Sequence, residues 1–306
     1  MRVVVKVGSS TLSHATGKIN LRIMDSLCRV LSDIKNAGNE VILVSSGAIA
    51  MGVSKLALPC RPSDIPTKQA AAAVGQCELM YTYDKFFGEY NQTVAQILLT
   101  AEDVESDERR NHFHNTLERL ITLGAVPVIN ENDTIATKEI AVGDNDTLAA
   151  IVAVSSGADL LVLLTDTDGL YTCDPRRDSG AKLLPLVEEI TPELYAAAGG
   201  SGTALGTGGM STKLCAADMC MKNGIDTVIA RGSQPAVLYD ILEGKGAGTR
   251  IKGKKARQRA KCSSRLTNTN LRRQCVLRSR KMPLSGLWRR SFYLPCPIYL
   301  RPTRPT

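Results

Sequence analysis

The chain begins with Met1-Arg2-Val3-Val4-Val5-Lys6-Val7-Gly8-Ser9-Ser10, a run rich in valine that ends in three small residues. Valine favours extended backbone, and a glycine followed by serines is typical of a tight turn, so the stretch predicts a buried strand with a turn at its end. Lys6 is unusual within such a strand. A lysine there either protects an exposed sheet edge or places a charge beside a ligand. The first strand of a doubly wound sheet is often central, which favours the second interpretation.

Farther along the chain, apolar runs alternate with segments of helical periodicity. The predicted strands are Val3–Val7, Val41–Val44, Val94–Leu99, Val126–Ile129, Leu160–Leu164 and Thr227–Ala230. The predicted helices span residues 21–37, 67–87, 108–123 and 147–156, with another that ends near Asn223. Strands rich in Val, Ile and Leu that are separated by helices indicate an α/β fold, a three-layer α/β/α sandwich with a mainly parallel central sheet. Thr134–Val142 lacks helical periodicity and is interpreted as a hairpin.

Charge divides the 306 residues into two parts. Residues 1–250 carry 22 lysines and arginines against 30 aspartates and glutamates, whereas residues 251–306 carry 16 basic residues and no acidic one. We predict one domain over 1–250 and a basic tail over 251–306 that is mostly disordered, because cations without anions repel one another. The net charge of +8 therefore does not indicate that the body binds nucleic acid.

Three sequence features limit the location and metal content of the protein. No apolar stretch is long enough to span a bilayer and no secretory signal is visible, so we expect no membrane association. Nine cysteines without a Cys-x-x-Cys pair indicate free thiols in a reducing compartment, and we expect a cytoplasmic protein. His112 and His114 lie two apart, which places them on different faces of a helix, and no metal site is expected from them.

Small and polar residues follow four of the predicted strands. These segments are Gly8-Ser9-Ser10, Ser45-Ser46-Gly47, Asn130-Glu131-Asn132-Asp133 and Thr165-Asp166. Ligands bind at the carboxyl ends of the strands in parallel sheets, so the four segments predict one binding edge. Turns after strands are commonly small and polar, which explains any one segment. It explains less well two carboxylates that come directly after a buried strand.

Two further segments carry polar or glycine-rich signals. Gly143-Asp144-Asn145-Asp146 precedes an apolar helix, and Asp146 taken alone is interpreted as its N-cap. The segment from Gly206 to Lys213 reads Gly-Thr-Gly-Gly-Met-Ser-Thr-Lys and leads into another helix, whose free N–H groups and positive dipole end suit a phosphate. The loop is not a P-loop motif, because its lysine comes last and no strand directly precedes it. A flexible glycine-rich connector is the alternative interpretation.

Taken in order, these motifs resemble the amino acid kinase family, and within it the members that phosphorylate L-glutamate. The resemblance covers residues 1–250 and rests on Val5-Lys6-Val7, the four strand-end segments, Val142 to Asp146, Gly169-Leu170-Tyr171 and Gly206 to Lys213. It implies the amino acid kinase fold and an ATP-dependent phosphorylation of the γ-carboxylate of L-glutamate. The product would be γ-glutamyl phosphate, which begins proline synthesis.

The resemblance also implies roles for individual residues. The residues expected to act in catalysis are Lys6, Lys213 and Asp146. Those that resemble the family's ATP contacts are Lys6, Thr165, Asp166, Thr207, Gly208, Gly209, Met210, Ser211, Thr212 and Lys213. Those that resemble its glutamate contacts are Ser46, Asp133 and Asn145. Mg²⁺ is expected on the ATP phosphates with few protein ligands of its own, and no residue is assigned to it.

The implied chemistry suits these residue types. The γ-carboxylate of glutamate titrates near pH 4.3, so it is ionised at neutral pH and needs no general base. The obstacle is repulsion between two anions, which positive charge and alignment must offset. By the same resemblance we expect inhibition by L-proline and a homo-oligomer.

The sequence leaves several alternatives open. Another family member with similar motifs would act on acetylglutamate, aspartate or carbamate. A sensor that binds glutamate or proline without turnover, or a nucleic-acid-binding protein on an α/β body, is a non-enzymatic alternative, although both lysines are retained. Many family members continue into a PUA domain, which is not recognisable here. The tail is interpreted as an unstructured extension or an altered reading frame, and less favourably as a basic arm for RNA or an acidic partner.

Overall fold

A computed structural model describes residues 1–14, 16–135, 144–173, 175, 178, 180–198 and 209–254. Eight strands within these residues form one sheet. The strands are β1 (Arg2–Val7), β2 (Glu40–Ser45), β3 (Val94–Leu99), β4 (Val126–Glu131), β5 (Leu160–Thr165), β6 (Leu186–Val187), β7 (Asp226–Arg231) and β8 (Thr249–Ile251). The sheet order is β3-β4-β2-β1-β5-β7-β8-β6, and the first six strands in that order are parallel.

The six predicted strands are all confirmed, and β1 lies at the centre of the sheet between β2 and β5. Lys6 therefore belongs to a central strand, and its interpretation as an edge-strand charge is wrong. The strands β6 and β8 are not predicted from the sequence, because two or three residues are too few to show a periodic pattern. β8 runs antiparallel to β7, so the sheet is mainly rather than entirely parallel.

Helices connect the strands along the described residues. They are α1 (Ser9–Leu12), α2 (Leu21–Asn36), α3 (Ala48–Lys55), α4 (Ile65–Glu89), α5 (Ala101–Glu105), α6 (Asp107–Thr122), α7 (Asn145–Ser156), α8 (Pro192–Ala197), α9 (Met210–Lys222) and α10 (Val237–Leu242). α2 begins after Asn20, whose side chain accepts a hydrogen bond from the N–H of Ile23, as is typical of an N-cap. Every predicted helix is present.

Two hydrophobic clusters pack on opposite faces of the sheet. Along β1 the side chains alternate, with Val3, Val5 and Val7 in the first cluster and Val4 in the second. α2, α4 and α10 contribute to the first cluster, while α6, α7 and α9 contribute to the second. The three-layer α/β/α sandwich is therefore confirmed, and alternation along the strand places Lys6 on the face that α7 and α9 cover.

α3 and α4 cross at a contact that only glycines allow. A Cβ atom at Gly75 of α4 would lie 1.8 Å from the carbonyl oxygen of Ala48, and one at Gly52 of α3 would lie 1.7 Å from that of Ala71. Neither distance is possible unless the helices separate. Because α3 begins directly after Ser46-Gly47, this crossing supports one part of the predicted binding edge.

Gly75→Ala is expected to lower the free energy of unfolding by about 1–3 kcal/mol, because the added methyl group must displace the backbone of α3. Gly88→Ala is the matched control on the same helix, since a Cβ atom there meets nothing within 4 Å. Alanine is the better helix former by about 1 kcal/mol, so the control should be neutral or stabilising. Urea unfolding measures both changes, and equal stabilities of the two variants would contradict the close crossing.

Two predictions concern residues that lie largely outside the described ranges. Of the hairpin predicted over Thr134–Val142, only Thr134 and Ile135 are described. The domain boundary near residue 250 and the disorder of the basic tail stay predictions, because residues 255–306 are not described. The described residues all belong to one compact unit. Within it, no helix has both the length and the apolar character needed to cross a bilayer.

Candidate active site

The carboxyl ends of β1, β2, β4 and β5 lie on one edge of the sheet, because all four strands are parallel. β1 and β2 end in register at Val7 and Ser45, and the N–H of Ser46 donates to the carbonyl of Val7 at 3.1 Å. The neighbours of β1 are β2 on one side and β5 on the other, so the strand order reverses at β1. A crevice at such a switch point is the expected ligand site of an open α/β sheet.

Two buried lysines meet at this edge on one carboxylate. Lys6 Nζ lies 2.8 Å from Asp146 Oδ1, and Lys213 Nζ lies 3.0 Å from Asp146 Oδ2. Asp146 is fully buried, while Lys6 and Lys213 are 7% and 6% exposed. The lysines come from β1 and α9, and the aspartate comes from α7. Three distant parts of the chain therefore form one triad, which carries two positive charges against one negative charge.

Lys6 and Lys213 keep Asp146 in its ionised form. Burial opposes ionisation, but the charges of Lys6 and Lys213 outweigh burial and hold the pKa of Asp146 below its ordinary value. Lys213 and the hydroxyl of Thr212 both donate hydrogen bonds to Oδ2, at 3.0 and 2.9 Å. Oδ1 faces Lys6 in an ion pair whose alignment is poor for a hydrogen bond. Each ammonium group has three N–H donors and so retains donors for a ligand.

Asp146 reaches this position because of the cap of α7. The side chain of Asp144 accepts hydrogen bonds from the N–H groups of Asp146 at 2.7 Å and Thr147 at 2.8 Å, so Asp144 is the N-cap. The interpretation of Asp146 as the cap is therefore wrong. Asp146 lies in the first turn of α7, where its carboxylate contacts Thr212 and Lys213 in the first turns of α9.

α9 begins at the end of the glycine-rich loop. Gly209 is its N-cap and offers no side chain to the first N–H groups, so these groups suit an anion. Met210 and Ser211 are half-buried in the first turn, and Met210 also packs against the second hydrophobic cluster. Thr207 and Gly208 lie outside the described residues, so their nucleotide contacts stay predictions.

A chain of side-chain amides lies between the ends of β2 and β4. Asn145 Nδ2 donates to Ser46 Oγ at 2.7 Å and to Asn130 Oδ1 at 3.0 Å. Asn130 Nδ2 donates in turn to Gln76 Oε1 at 2.9 Å. Ser46 and Asn145, two of the expected glutamate contacts, are thus directly joined. No role for Gln76 is predicted from the sequence, although a polar residue at a buried position of α4 is the signal that marks it.

Asp133, the third expected glutamate contact, lies just beyond the end of β4. Its surroundings disfavour the ionised form of its side chain. Burial and then the neighbouring carboxylate of Glu131 raise the pKa of Asp133 to about 6, and Arg61 opposes this shift only in part. A carboxylate in such surroundings gains stability when a cation binds beside it. The ammonium group of an amino acid is a cation of suitable size.

Thr165 and Asp166 lie at the end of β5, beside the end of β7. Thr165 pairs in register with Arg231, and its hydroxyl donates to Asp166 at 3.1 Å. Arg231 donates two hydrogen bonds to Asp168, which lower the pKa of that carboxyl group. Asp166 itself is exposed. This part of the edge therefore offers polar groups that a solvated ligand can reach.

Among the residues that the structure describes, no three His, Cys, Asp or Glu side chains gather in a way that could hold a metal ion. Asp146 directs both of its oxygens to lysines.

The profile of the amino acid kinase family matches residues 1–231, a span that includes Lys6, Asp146 and Lys213. The chain belongs to the amino acid kinase family. Membership agrees with the parallel sheet and the single binding edge described above. The resemblance inferred from the sequence motifs is therefore confirmed.

Two relatives within this family resemble the chain over most of its length. The glutamate 5-kinase of Clostridium perfringens is 51% identical over 258 residues, which are 83% of this chain and 96% of the relative. The glutamate 5-kinase of Carboxydothermus hydrogenoformans is 55% identical over 258 residues, which are 84% of this chain and 69% of the relative. The similarity thus covers almost all of the first relative and about two thirds of the second.

Solved structures with the amino acid kinase fold share the architecture at low identity. Carbamate kinase from Giardia lamblia bound to AMP-PNP aligns with a TM-score of 0.60 at 17% identity, over 82% of this chain and 98% of that one. An isopentenyl phosphate kinase from T. acidophilum aligns with a TM-score of 0.58 at 20% identity, over 82% of this chain and 100% of that one. At these identities the likeness concerns the fold alone.

Proposed function

We propose that the chain transfers the γ-phosphoryl group of ATP to the γ-carboxylate of L-glutamate, which yields ADP and γ-glutamyl phosphate for proline biosynthesis. The single observation that carries this proposal is the meeting of Lys6 and Lys213 on one buried carboxylate at the binding edge. The glutamate 5-kinases at 51% and 55% identity support the choice of substrate.

The reaction brings a carboxylate against the phosphates of ATP, and the two lysines reduce the repulsion between these anions. The γ-carboxylate attacks as it is, because it is already ionised at neutral pH. Lys6 from β1 and Lys213 from α9 approach the transferred group from two sides, and their charges offset the negative charge of the transition state. Asp146 acts through them, since its two carboxylate oxygens hold both ammonium groups close to one point.

ATP would bind between the start of α9 and the end of β5. The N–H groups of the first turn of α9, with the glycine-rich loop before it, form the expected cradle for the phosphates. Thr165 and Asp166 are the expected contacts toward the nucleoside. Mg²⁺ would neutralise part of the phosphate charge, held by the phosphate oxygens and by water.

Glutamate would bind on the other side of the lysines through its amino-acid end. Asp133 is the proposed partner of the ammonium group, while Ser46, which Asn145 holds in place, donates to a carboxylate. A bound ammonium group would relieve the repulsion between Asp133 and Glu131. This favours glutamate or aspartate over acetylglutamate and carbamate, which carry no free ammonium group.

L-Proline fits the same half of the site, because it has an ammonium group and an α-carboxylate. It lacks a side-chain carboxylate, so it would occupy the site without accepting a phosphoryl group. We propose that it inhibits by competing with glutamate. A homo-oligomer and a cytoplasmic location are further proposals, which rest on resemblance to the family.

One assay tests the proposed reaction. Protein supplied with Mg²⁺ and ATP is expected to release ADP when L-glutamate is present, and hydroxylamine should trap the acyl phosphate as a hydroxamate. Acetylglutamate, aspartate and carbamate serve as competing substrates in parallel reactions. ADP release that ignores glutamate, or that is faster with one of the other three, would contradict the proposal.

The use of glutamate is expected to weaken below pH 6. Asp133, with a pKa of about 6, becomes protonated there and loses its charge toward the substrate ammonium. The γ-carboxylate of glutamate stays ionised in this range, because it titrates near pH 4.3. kcat/KM for glutamate should therefore fall about tenfold per pH unit below pH 6 and change little above pH 7.

Asp133→Asn is the control for this pH dependence. Its kcat/KM should be low and should lack the transition near pH 6, because asparagine does not titrate. Initial rates between pH 5 and pH 8 measure both proteins. A wild-type profile that is flat over this interval would contradict the role of Asp133.

A further inference from the structure

The amide chain between β2 and β4 has a fixed direction. Asn130 Oδ1 accepts a hydrogen bond from the backbone N–H of Glu131 at 2.9 Å, and a backbone N–H can only donate. The other end of the Asn130 amide must then be Nδ2, which donates to Gln76 Oε1. Asn145 Nδ2 lies 3.3 Å from the carbonyl oxygen of Ser45, which can only accept. The backbone groups therefore identify which end of each asparagine amide is the nitrogen in this network.

The direction of these hydrogen bonds decides whether the Ser46 hydroxyl can donate to a ligand. Asn145 Nδ2 donates to Ser46 Oγ at 2.7 Å, so the serine oxygen acts as an acceptor inside the network. Its hydroxyl hydrogen is then available to donate outward to a carboxylate. If the Asn145 amide turned over, its oxygen would face Ser46 and draw the hydroxyl hydrogen inward.

Gln76 supplies the acceptor that keeps Asn130 in this orientation. Asn130 is 2% exposed and Gln76 is 8% exposed, so water cannot easily replace the contact between them. A buried amide hydrogen that loses its acceptor is unfavourable, and the Asn130 side chain would rotate to satisfy it. That rotation would move Asn130 Oδ1 away from Asn145 Nδ2. The Asn145 amide would then lose one of the acceptors that hold its orientation.

The helix α4 is well placed to support these strand ends. Gln76 directly follows Gly75, whose close approach to Ala48 holds α4 against α3. Seven residues later, the fully buried Tyr83 places its hydroxyl 2.7 Å from Ser45 Oγ. Two polar side chains from one face of α4 thus reach the ends of β4 and β2.

We propose that Gln76 is a positioning residue for glutamate, which acts through Asn130 and Asn145 to make Ser46 a hydrogen-bond donor to a substrate carboxylate. The inference rests on the proposed function, because it concerns the glutamate half of the site. ATP binds on the other half, so its KM should not depend on Gln76. Replacement of Gln76 should therefore raise the KM for glutamate and leave the KM for ATP unchanged.

Gln76→Met tests this role, because methionine is similar in length and has no amide. The KM for glutamate is expected to rise about tenfold, while the KM for ATP stays within about twofold. Thr82→Val is the matched control on α4, since Thr82 is also 8% exposed and its hydroxyl donates to the carbonyl of Glu78 in its own helix. Both KM values of this control should equal those of the wild type.

Gln76→Glu keeps an acceptor oxygen at the same position and is expected to restore much of the glutamate affinity. A merely structural role would not produce that rescue or the difference between the two substrates. If Gln76→Met does not fold, as judged by thermal melting, Gln76→Ala takes its place in the same comparison.

The wild-type protein separates the possible failures. Calorimetric titration with glutamate in the absence of nucleotide is run beside the assay. Wild-type protein that neither binds nor phosphorylates glutamate overturns the proposed function and this inference together. Active wild-type protein with unchanged, or equally raised, KM values in Gln76→Met overturns the positioning role alone.

Discussion

Lys213→Ala is expected to lower kcat by about 10²–10³-fold, and Lys6→Ala should have an effect of similar size. Each substitution leaves Asp146 with one lysine, so the triad loses its net positive charge. The remaining lysine cannot compensate, because each ammonium group lies on a different carboxylate oxygen and reaches the site from a different element. Glutamate-dependent ADP release at saturating substrates measures the loss.

Lys222→Ala is the matched control for Lys213. Lys222 also lies on α9, but it is exposed and pairs with Asp218 at the far end of the helix. Its replacement removes one charge from the same element and should leave kcat unchanged. Near-normal turnover in both Lys6→Ala and Lys213→Ala would overturn the roles proposed for the two lysines.

Asp146→Asn is expected to lower the free energy of unfolding by about 3–5 kcal/mol at neutral pH. The substitution leaves Lys6 and Lys213 buried beside each other without a counter-charge. An asparagine also turns an N–H₂ group toward one of the two ammonium groups, which places donor against donor. Asp218→Asn is the control, since its exposed pair with Lys222 should contribute less than about 1 kcal/mol.

The pH dependence of this difference has a definite sign. The pKa of Asp146 is lowered in the folded protein, so the stabilisation is present above the ordinary aspartate pKa near 3.9 and is lost as pH falls through the folded value. The gap between wild type and Asp146→Asn in urea unfolding should therefore be full at pH 7 and shrink in acid below pH 4. Equal stabilities at pH 7 would contradict the charged triad.

The strands of the parallel sheet could be predicted because burial on both faces leaves a strong local signal. Val41–Val44 and Leu160–Leu164 are continuous aliphatic runs, and both are strands at the centre of the sheet. Leu186–Val187 has no such signal, because β6 acquires strand geometry by pairing with β8. Long-range pairing is not encoded in a segment of two residues.

Only some of the residues at the proposed site could be predicted from the sequence. Ser46, Asp133 and Asn145 follow strands or begin a helix, so the order of elements predicts that they share an edge. The pKa of Asp133 depends on burial and on Glu131, and neither can be judged before the chain is folded. Gln76 lies in the middle of a long helix, where only the packing of α4 reveals its contact with Asn130.

The sequence by itself determined the layer architecture and the edge of the sheet at which the proposed site lies. Hydrophobic periodicity and turn chemistry are local, and parallel strands necessarily place their carboxyl ends together. Tertiary structure alone decided that Asp146 joins Lys6 to Lys213 instead of capping its own helix. The reason is physical, because the energy of a buried charge depends on the groups that folding brings within about 3 Å of it, wherever they lie along the chain.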